Sequence, residues 1–362
     1  MRDTHRIIAI STRDFCAQRF EILDAIRFFA ALWVVIGHYG GFPIGSKQQM
    51  GAFSAYAHGI YNNFFSGPAA VIVFFVISGF CIHFPFRQIN HIPLLNYFTR
   101  RFIRILVPMG CAMVVARPAG VPMFLFRDSV LWSLFAELIY YTFYPFLHYL
   151  ARRIGWPLIT KIGFLGSFCL LVAHPLHKDY ATFGTEWNWL LALPCWLLGC
   201  ILAETYDTKH SRSVPLATLY LARITAWIVS VVCSILRFHS PIGYPWTLTL
   251  FSILVFAWLK LEILNRRKLP RPFIWAGNWT YSLYLTHLIP IEVCSKLAQF
   301  QSYPSELRWC LEMISILVTA YIFYFCFERP SHYLARLLAR RLEPTLVKPF
   351  PVLAANEPVA GS

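Results

Sequence analysis

Charge is scarce in this sequence of 362 residues: Asp, Glu, Lys and Arg make up 14% of it, against 57% hydrophobic residues. A soluble domain carries about 25% charged residues, so this chain lacks the polar surface that water requires and reads as a membrane protein. Acidic side chains are the rarer sign, 17 against 32 basic, for a net charge of +15. Paired thiol motifs are also missing. None of the ten cysteines forms a CxxC pair, and most lie inside apolar runs, which excludes a zinc ribbon or a disulfide framework and leaves them as small apolar side chains. No P-loop, GxSxG, HExxH or dinucleotide fingerprint stands in its required context, so the soluble-enzyme templates built on them gain no support. No metal site or bound cofactor is expected, and neither an internal repeat nor a low-complexity tract is visible. The first twenty residues lack an apolar core long enough for a cleavable signal, so the first spanning helix is expected to direct insertion and stay.

Long apolar runs dominate what is present. A spanning helix needs about 20 mostly apolar residues, because its backbone must satisfy its own hydrogen bonds across about 30 Å of hydrocarbon. Ten windows qualify or nearly do, at about 22 to 39, 68 to 84, 102 to 118, 130 to 149, 159 to 176, 187 to 203, 214 to 236, 244 to 261, 273 to 294 and 309 to 327. The third is the weakest, with only "ILVPMGCAMVVA" free of charge before Arg117 and Pro118. Lys and Arg accumulate in cytoplasmic loops, and this bias tests the doubtful span. With ten spans and a cytoplasmic N-terminus, 24 basic residues fall inside and 7 outside. Deleting the third span flips every later loop and leaves 14 inside against 17 outside. The expected fold is therefore an all-α integral membrane protein of about ten transmembrane helices with both termini cytoplasmic. Residues 1–21 form a cytoplasmic N-terminal segment, 22–330 the membrane domain and 331–362 a cytoplasmic tail. The basic residues flank spans and form no groove-sized patch, so nucleic acid is excluded as a partner.

Within the first span, "LDAIRFFAALWVVIGHYG" embeds Asp24, Arg27 and His38. At 100° per residue, Arg27 and His38 differ by about 20° in azimuth and lie roughly 16 Å apart along the axis. Asp24, three residues before Arg27, joins the same stripe, where the two charges offset one another. Ionisable groups at membrane depth are costly and mark cavities or relays. The fourth span, "SVLWSLFAELIYYTFYPFL", sets Ser133, Glu137, Tyr140, Tyr141 and Tyr144 at helical spacing around one acid. The ninth, "WAGNWTYSLYLTHLIPIEV", puts Tyr284 and His287 on one face. "FFVISGF" supplies Ser78 and Gly79, where the glycine allows another helix or a ligand to approach closely. "RRFIRI" groups Arg100, Arg101 and Arg104, whose forked guanidinium groups suit phosphates as well as ordinary membrane anchoring.

Six stretches in this order resemble the membrane-bound acyltransferase family 3, whose members O-acylate surface polysaccharides, lipopolysaccharide O-antigens, nodulation factors and some macrolides. They are "LDAIRFFAALWVVIGH", "VIVFFVISGFCI", "NYFTRRFIRILVP", "LWSLFAELIYYTFYPFL", "GNWTYSLYLTHLIP" and "FERP". The resemblance, from about residue 22 to 330, implies a multi-pass enzyme of the cell inner membrane. Such an enzyme takes acetyl from cytoplasmic acetyl-CoA, a co-substrate and not a bound cofactor, and passes it to a hydroxyl of a lipid-linked or exported glycan. It implies that Arg27 and His38 are essential and that Ser78, Glu137, Arg100, Arg101 and Arg104 match the family pattern. The residues expected to act in catalysis are thus His38, Arg27, Asp24, Glu137 and His287. Those expected to hold the acyl-CoA are Arg100, Arg101, Arg104 and Ser78. His38 is read as the base that takes the acceptor's proton, with a covalent acyl-enzyme on Ser78 or His38 as the other route. A small-molecule acyltransferase of macrolide type and a multi-pass secondary transporter remain the alternatives, the latter because buried Arg, His and Glu also suit a proton relay. Partners are the acyl-CoA donor, the glycan acceptor and the bilayer, with the oligomeric state open. The stretch between Pro108 and Trp132 is shorter than the family pattern.

Overall fold

The computed structural model describes residues 20–44, 52–123, 131–206, 214–265 and 269–342, with backbone alone for 52–56. Most of the expected N-terminal segment, the end of the C-terminal tail and the loop positions Lys47, Arg127, Lys209 and Arg212 lie outside the described residues. The chain is all-α and integral to the membrane: eight helices are long and apolar enough to cross a bilayer, and no strand occurs among the described residues.

The first helix, α1 (Glu21–Tyr39), is 19 residues long, about 28 Å at 1.5 Å per residue. A short α2 (Ala52–Asn62) leads to α3 (Gly67–His83). Ser66 caps α3, its hydroxyl accepting from the Ala69 amide at 3.4 Å, and Pro68 occupies the first turn. A proline there loses no hydrogen bond. Helix α3 is apolar on every side and buried along nearly its whole length, which makes it the axis of the bundle.

The doubtful third span is one unbroken helix, α4 (Leu94–Ala119), of 26 residues running through Pro108 and Pro118. It ends at Gly120, whose φ of +84° is the left-handed stop that a glycine adopts without strain. After it come α5 (Trp132–Ile154), α6 (Trp156–Ala173), α7 (Gly184–Thr205), α8 (Leu216–His239) and α9 (Tyr244–Leu264). Helix α7 crosses α3 at Gly79 and Gly199, where a Cβ on Gly79 would stand 2.0 Å from the Trp196 carbonyl oxygen. The close approach expected at Gly79 is therefore helix against helix.

Two expected spans depart from the eight. Helix α5 is long enough, at 23 residues, but Glu137, the tyrosines and Arg152 and Arg153 dilute its hydropathy. Its polar residues Ser133, Tyr141, Tyr144 and His148 are buried, while Phe143 and Phe146 are exposed, so its polar face turns into the bundle. The expected continuous span at 273–294 is instead broken. It runs as α10 (Arg271–Ala276), a 3₁₀ turn at Gly277–Trp279, α11 (Thr280–Thr286) and α12 (Leu288–Lys296). The turn exists because α1 presses against it: a Cβ on Gly277 would lie 2.7 Å from the Asp24 Cβ.

After the short α13 (Ala298–Gln301), α14 (Ser305–Phe323) passes through a π-helical turn, Tyr324–Glu328, into α15 (Arg329–Arg341). That last helix lays Ala335 and Ala339 against α4, where the Asn96 amide donates to the Ala339 carbonyl at 3.1 Å. The expected boundary at residue 330 falls inside α15, so the first part of the tail is packed structure.

Candidate functional site

The broken segment and the π-helical turn leave space between α1, α3, α4 and α5. Irregular backbone at membrane depth persists where it is buried in protein or lines a cavity, and a cavity of about 640 Å³ occupies this space. Its volume is in the range of small-molecule sites. Helix α1 contributes Asp24 and Arg27, with one Arg27 Nη1–H donating to Asp24 Oδ1 at 3.3 Å. Their i,i+3 spacing places both on the face turned inward.

Opposite them, Ser78 of α3 and Tyr141 of α5 both donate to Glu137 Oε1, and the two hydroxyls lie 3.0 Å apart. The Trp196 indole N–H reaches the Ser78 oxygen at 3.3 Å. Glu137 and Tyr141 share a face because they are four residues apart on one helix. Ser78 joins them only because the Gly79 and Gly199 contact fixes the depth of α3 against α7. The carboxylate expected to be an outlier in an apolar helix is half-buried and is satisfied by two hydroxyls.

Toward the arginine-rich end of the bundle, Arg101 and Arg104 enter the cavity wall from α4, and His332 and Arg336 enter it from α15. Glu328, at the end of the π-helical turn, accepts from the Ser282 amide at 3.0 Å and the Ser282 hydroxyl at 2.6 Å. It lies 3.7 Å from His332 Nε2. The bonds to Ser282 tie the turn to α11, and insertions of this kind are frequent at functional sites. Four guanidinium groups (Arg27, Arg101, Arg104 and Arg336) and three carboxylates (Asp24, Glu137 and Glu328) line the space. Its electrostatic balance suits an anion.

His38 and His287 do not line this cavity. They meet at the other end of α1: His38 is exposed and His287 fully buried, with ring centroids 5.1 Å apart. Tyr284 links the two places. Its hydroxyl bonds Ser133 at 2.7 Å on the cavity wall, and its backbone carbonyl accepts from His287 Nδ1–H at 2.8 Å. Arg100 does not line the cavity either, because it sits 100° around α4 from Arg101.

Of the expected site residues, Asp24, Arg27, Ser78, Arg101, Arg104 and Glu137 therefore come together. His38 and His287 form a separate pair, and Arg100 stands apart. Sequence reasoning missed Tyr281, Glu328, His332 and Arg336. The "FERP" stretch pointed to Glu328, but nothing in sequence spacing indicated that His332 and Arg336 fold back onto α4. A second cavity of about 470 Å³, lined by Arg87, His148, Trp156 and Glu204 among others, contains none of the expected residues.

The broken helix, the histidine pair and every cavity-lining residue except His332 and Arg336 lie within the part of the chain that matches a known family. No curated protein and no solved structure matches the chain. The description of an acyltransferase domain of family 3 matches residues 20–328. With more than four fifths of its length matched, this membrane protein belongs to acyltransferase family 3.

Proposed function

We propose that this membrane acyltransferase takes an acetyl group from acetyl-CoA on the cytoplasmic side and passes it to a hydroxyl of a surface polysaccharide, lipopolysaccharide or glycolipid precursor. The observation that carries this reading is the cavity with cationic groups at the arginine-rich end of the bundle and a histidine pair beyond its opposite wall. Arg101, Arg104 and Arg336 are suited to the phosphates of the donor, since guanidinium forks match phosphate oxygens. Arg100 plays no part in that set. Ser78, Glu137 and Tyr141 stand where the pantetheine arm would pass, and Arg27, held by Asp24, is positioned to orient the thioester. Its path toward His38 leads past Ser133 and Tyr284.

In the transfer step the acceptor oxygen attacks the thioester carbonyl carbon, and its proton passes to His38 Nε2. The C–S bond then breaks, and coenzyme A leaves as a thiolate that takes up a proton. The excess of Lys and Arg at the arginine-rich end supports placing that end in the cytoplasm and the enzyme in the cell inner membrane.

The test is acyl transfer by the purified protein in detergent from radiolabelled acetyl-CoA, with mass spectrometry of surface glycans from cells with and without the gene. Label in glycan and an added acetyl mass support the reading. Unchanged glycans combined with altered solute uptake favour a transporter. A His38→Ala protein that transfers acetyl at the wild-type rate overturns the assignment of the base.

A further inference from the structure

His38 and His287 lie 249 positions apart in the chain, yet their rings meet through His38 Nδ1 and His287 Nε2 at 3.4 Å. The remaining bonds of the pair define which nitrogen carries each proton. His287 Nδ1 lies 2.8 Å from the Tyr284 carbonyl oxygen, and His38 Nδ1 lies 2.9 Å from the Val34 carbonyl oxygen. A carbonyl oxygen only accepts, so each Nδ1 carries a hydrogen in the neutral ring. His287 Nε2 is then an unprotonated acceptor directed at the His38 Nδ1–H, which it shares with Val34. His38 Nε2 is left with its lone pair. His287 itself has no exposed surface, whereas His38 is exposed.

We infer that His287 is a positioning residue that holds His38 in the Nδ1–H form and steadies the imidazolium that His38 becomes on taking a proton. The inference rests on the reading of His38 as the base. In the familiar arrangement of a catalytic histidine, a carboxylate accepts the Nδ1–H and fixes the tautomer. Here a neutral imidazole and a backbone carbonyl together fill that place. No carboxylate is hydrogen-bonded to either ring among the described contacts. A carboxylate on this face would carry a charge at membrane depth, which is costly; a neutral ring carries none, and its lone pair still strengthens its bond to Nδ1–H as His38 becomes cationic. The scaffold behind His287 makes it a rigid partner. Its own amide donates to the Leu283 carbonyl at 3.2 Å, its ring is anchored on Tyr284, and Tyr284 is tied through Ser133 to α5.

Two variants and one spectrum test this. His287→Gln keeps an oxygen near the position of Nε2, whereas His287→Leu removes the acceptor. Loss of a tautomer-fixing partner lowers kcat by up to about 10⁴ where that partner is a carboxylate. For the weaker neutral partner, His287→Leu is expected to lower kcat by about 10²-fold with the KM for acetyl-CoA within about twofold, and His287→Gln to recover at least about tenfold of the loss. Nitrogen-15 spectra of histidine-labelled protein in detergent, assigned with His38→Ala, are expected to show His38 protonated at Nδ1 and bare at Nε2 at neutral pH.

A His287→Leu protein with wild-type kcat, equal losses in the two variants, or His38 protonated at Nε2 instead of Nδ1 would each overturn the inference. Where His287→Leu fails to fold, His287→Gln with wild-type kcat, or a His38 protonated at Nε2 in the spectrum, still overturns the inference. If His38→Ala is inactive while His287→Leu is unimpaired, this inference alone fails; if His38→Ala is fully active, the reading of His38 as base fails first.

Discussion

Replacing Gly79 by alanine puts the packing logic of the bundle to a quantitative test. The added methyl would lie 2.0 Å from the Trp196 carbonyl oxygen and 3.0 Å from its carbonyl carbon, with the Gly199 Cα at 3.2 Å. Ordinary contact begins near 3.4 Å, so α3 and α7 must separate by about 1.4 Å, and the obstacle is backbone that cannot rotate away. Overpacking of this kind costs about 1–3 kcal/mol. The functional consequence is larger, because Ser78 is the next residue and its hydroxyl reaches Glu137 and Tyr141 from across the bundle. Moving α3 by 1 Å or more displaces that hydroxyl, and a misplacement of about 1 Å costs about 10²-fold in rate. The assay pairs acetyl transfer in detergent with thermal unfolding followed by tryptophan fluorescence. Gly110→Ala is the control, since a Cβ there meets nothing within 4 Å. A Gly79→Ala protein that matches Gly110→Ala in both melting and transfer would refute the claim that this crossing sets the depth of Ser78.

Other perturbations separate structural from chemical roles. Glu262 is fully buried and takes two bonds from Arg223, at 2.6 and 2.9 Å, and one from the Trp258 indole at 2.8 Å. Arg223→Leu should therefore destabilise by about 3–5 kcal/mol by stranding a buried charge, and adding Glu262→Met should recover most of that loss in denaturant titrations. Glu137→Ala leaves the Ser78 and Tyr141 hydroxyls without their acceptor and should cost about 1–3 kcal/mol for each one left unsatisfied. Glu137→Gln keeps an accepting oxygen, so folded protein with reduced transfer would isolate the contribution of the charge. Arg336→Ala should raise the KM for acetyl-CoA by about tenfold with kcat unchanged, as for loss of uniform binding. An unchanged KM would remove α15 from the donor site.

Helix α1 shows how much of the site was legible. Asp24, Arg27 and His38 stand on one stripe by helical geometry, and the cost of such groups at membrane depth marks that stripe as functional. What the spacing left open was that Arg27 and His38 belong to two places, the cavity and the histidine pair, with Tyr284 between them. Glu137 was equally visible as an acid in an apolar helix, yet its partner Ser78 comes from a helix 59 positions earlier. The basic trio on α4 illustrates the limit. Sequence groups Arg100, Arg101 and Arg104 together, but the direction α4 faces divides them, and packing alone sets that direction.

The sequence by itself determined the class of the fold, because the apolar composition and run lengths permit only membrane-length helices and the scarcity of charge excludes a soluble body. It also determined the family, through motifs spread along the chain, and the residues that repay scrutiny, because polar groups in hydrocarbon are expensive wherever they stand. Only the tertiary structure decided which of them share a cavity. It broke the ninth expected span at Gly277, where α1 leaves no room for a straight helix, and folded α15 back so that His332 and Arg336 meet the arginines of α4. It also brought His287 to His38. Those pairings depend on interhelical depth and rotation, which arise from close contacts such as Gly79 on Trp196, and a periodic pattern along one chain carries no information about the face its neighbours present.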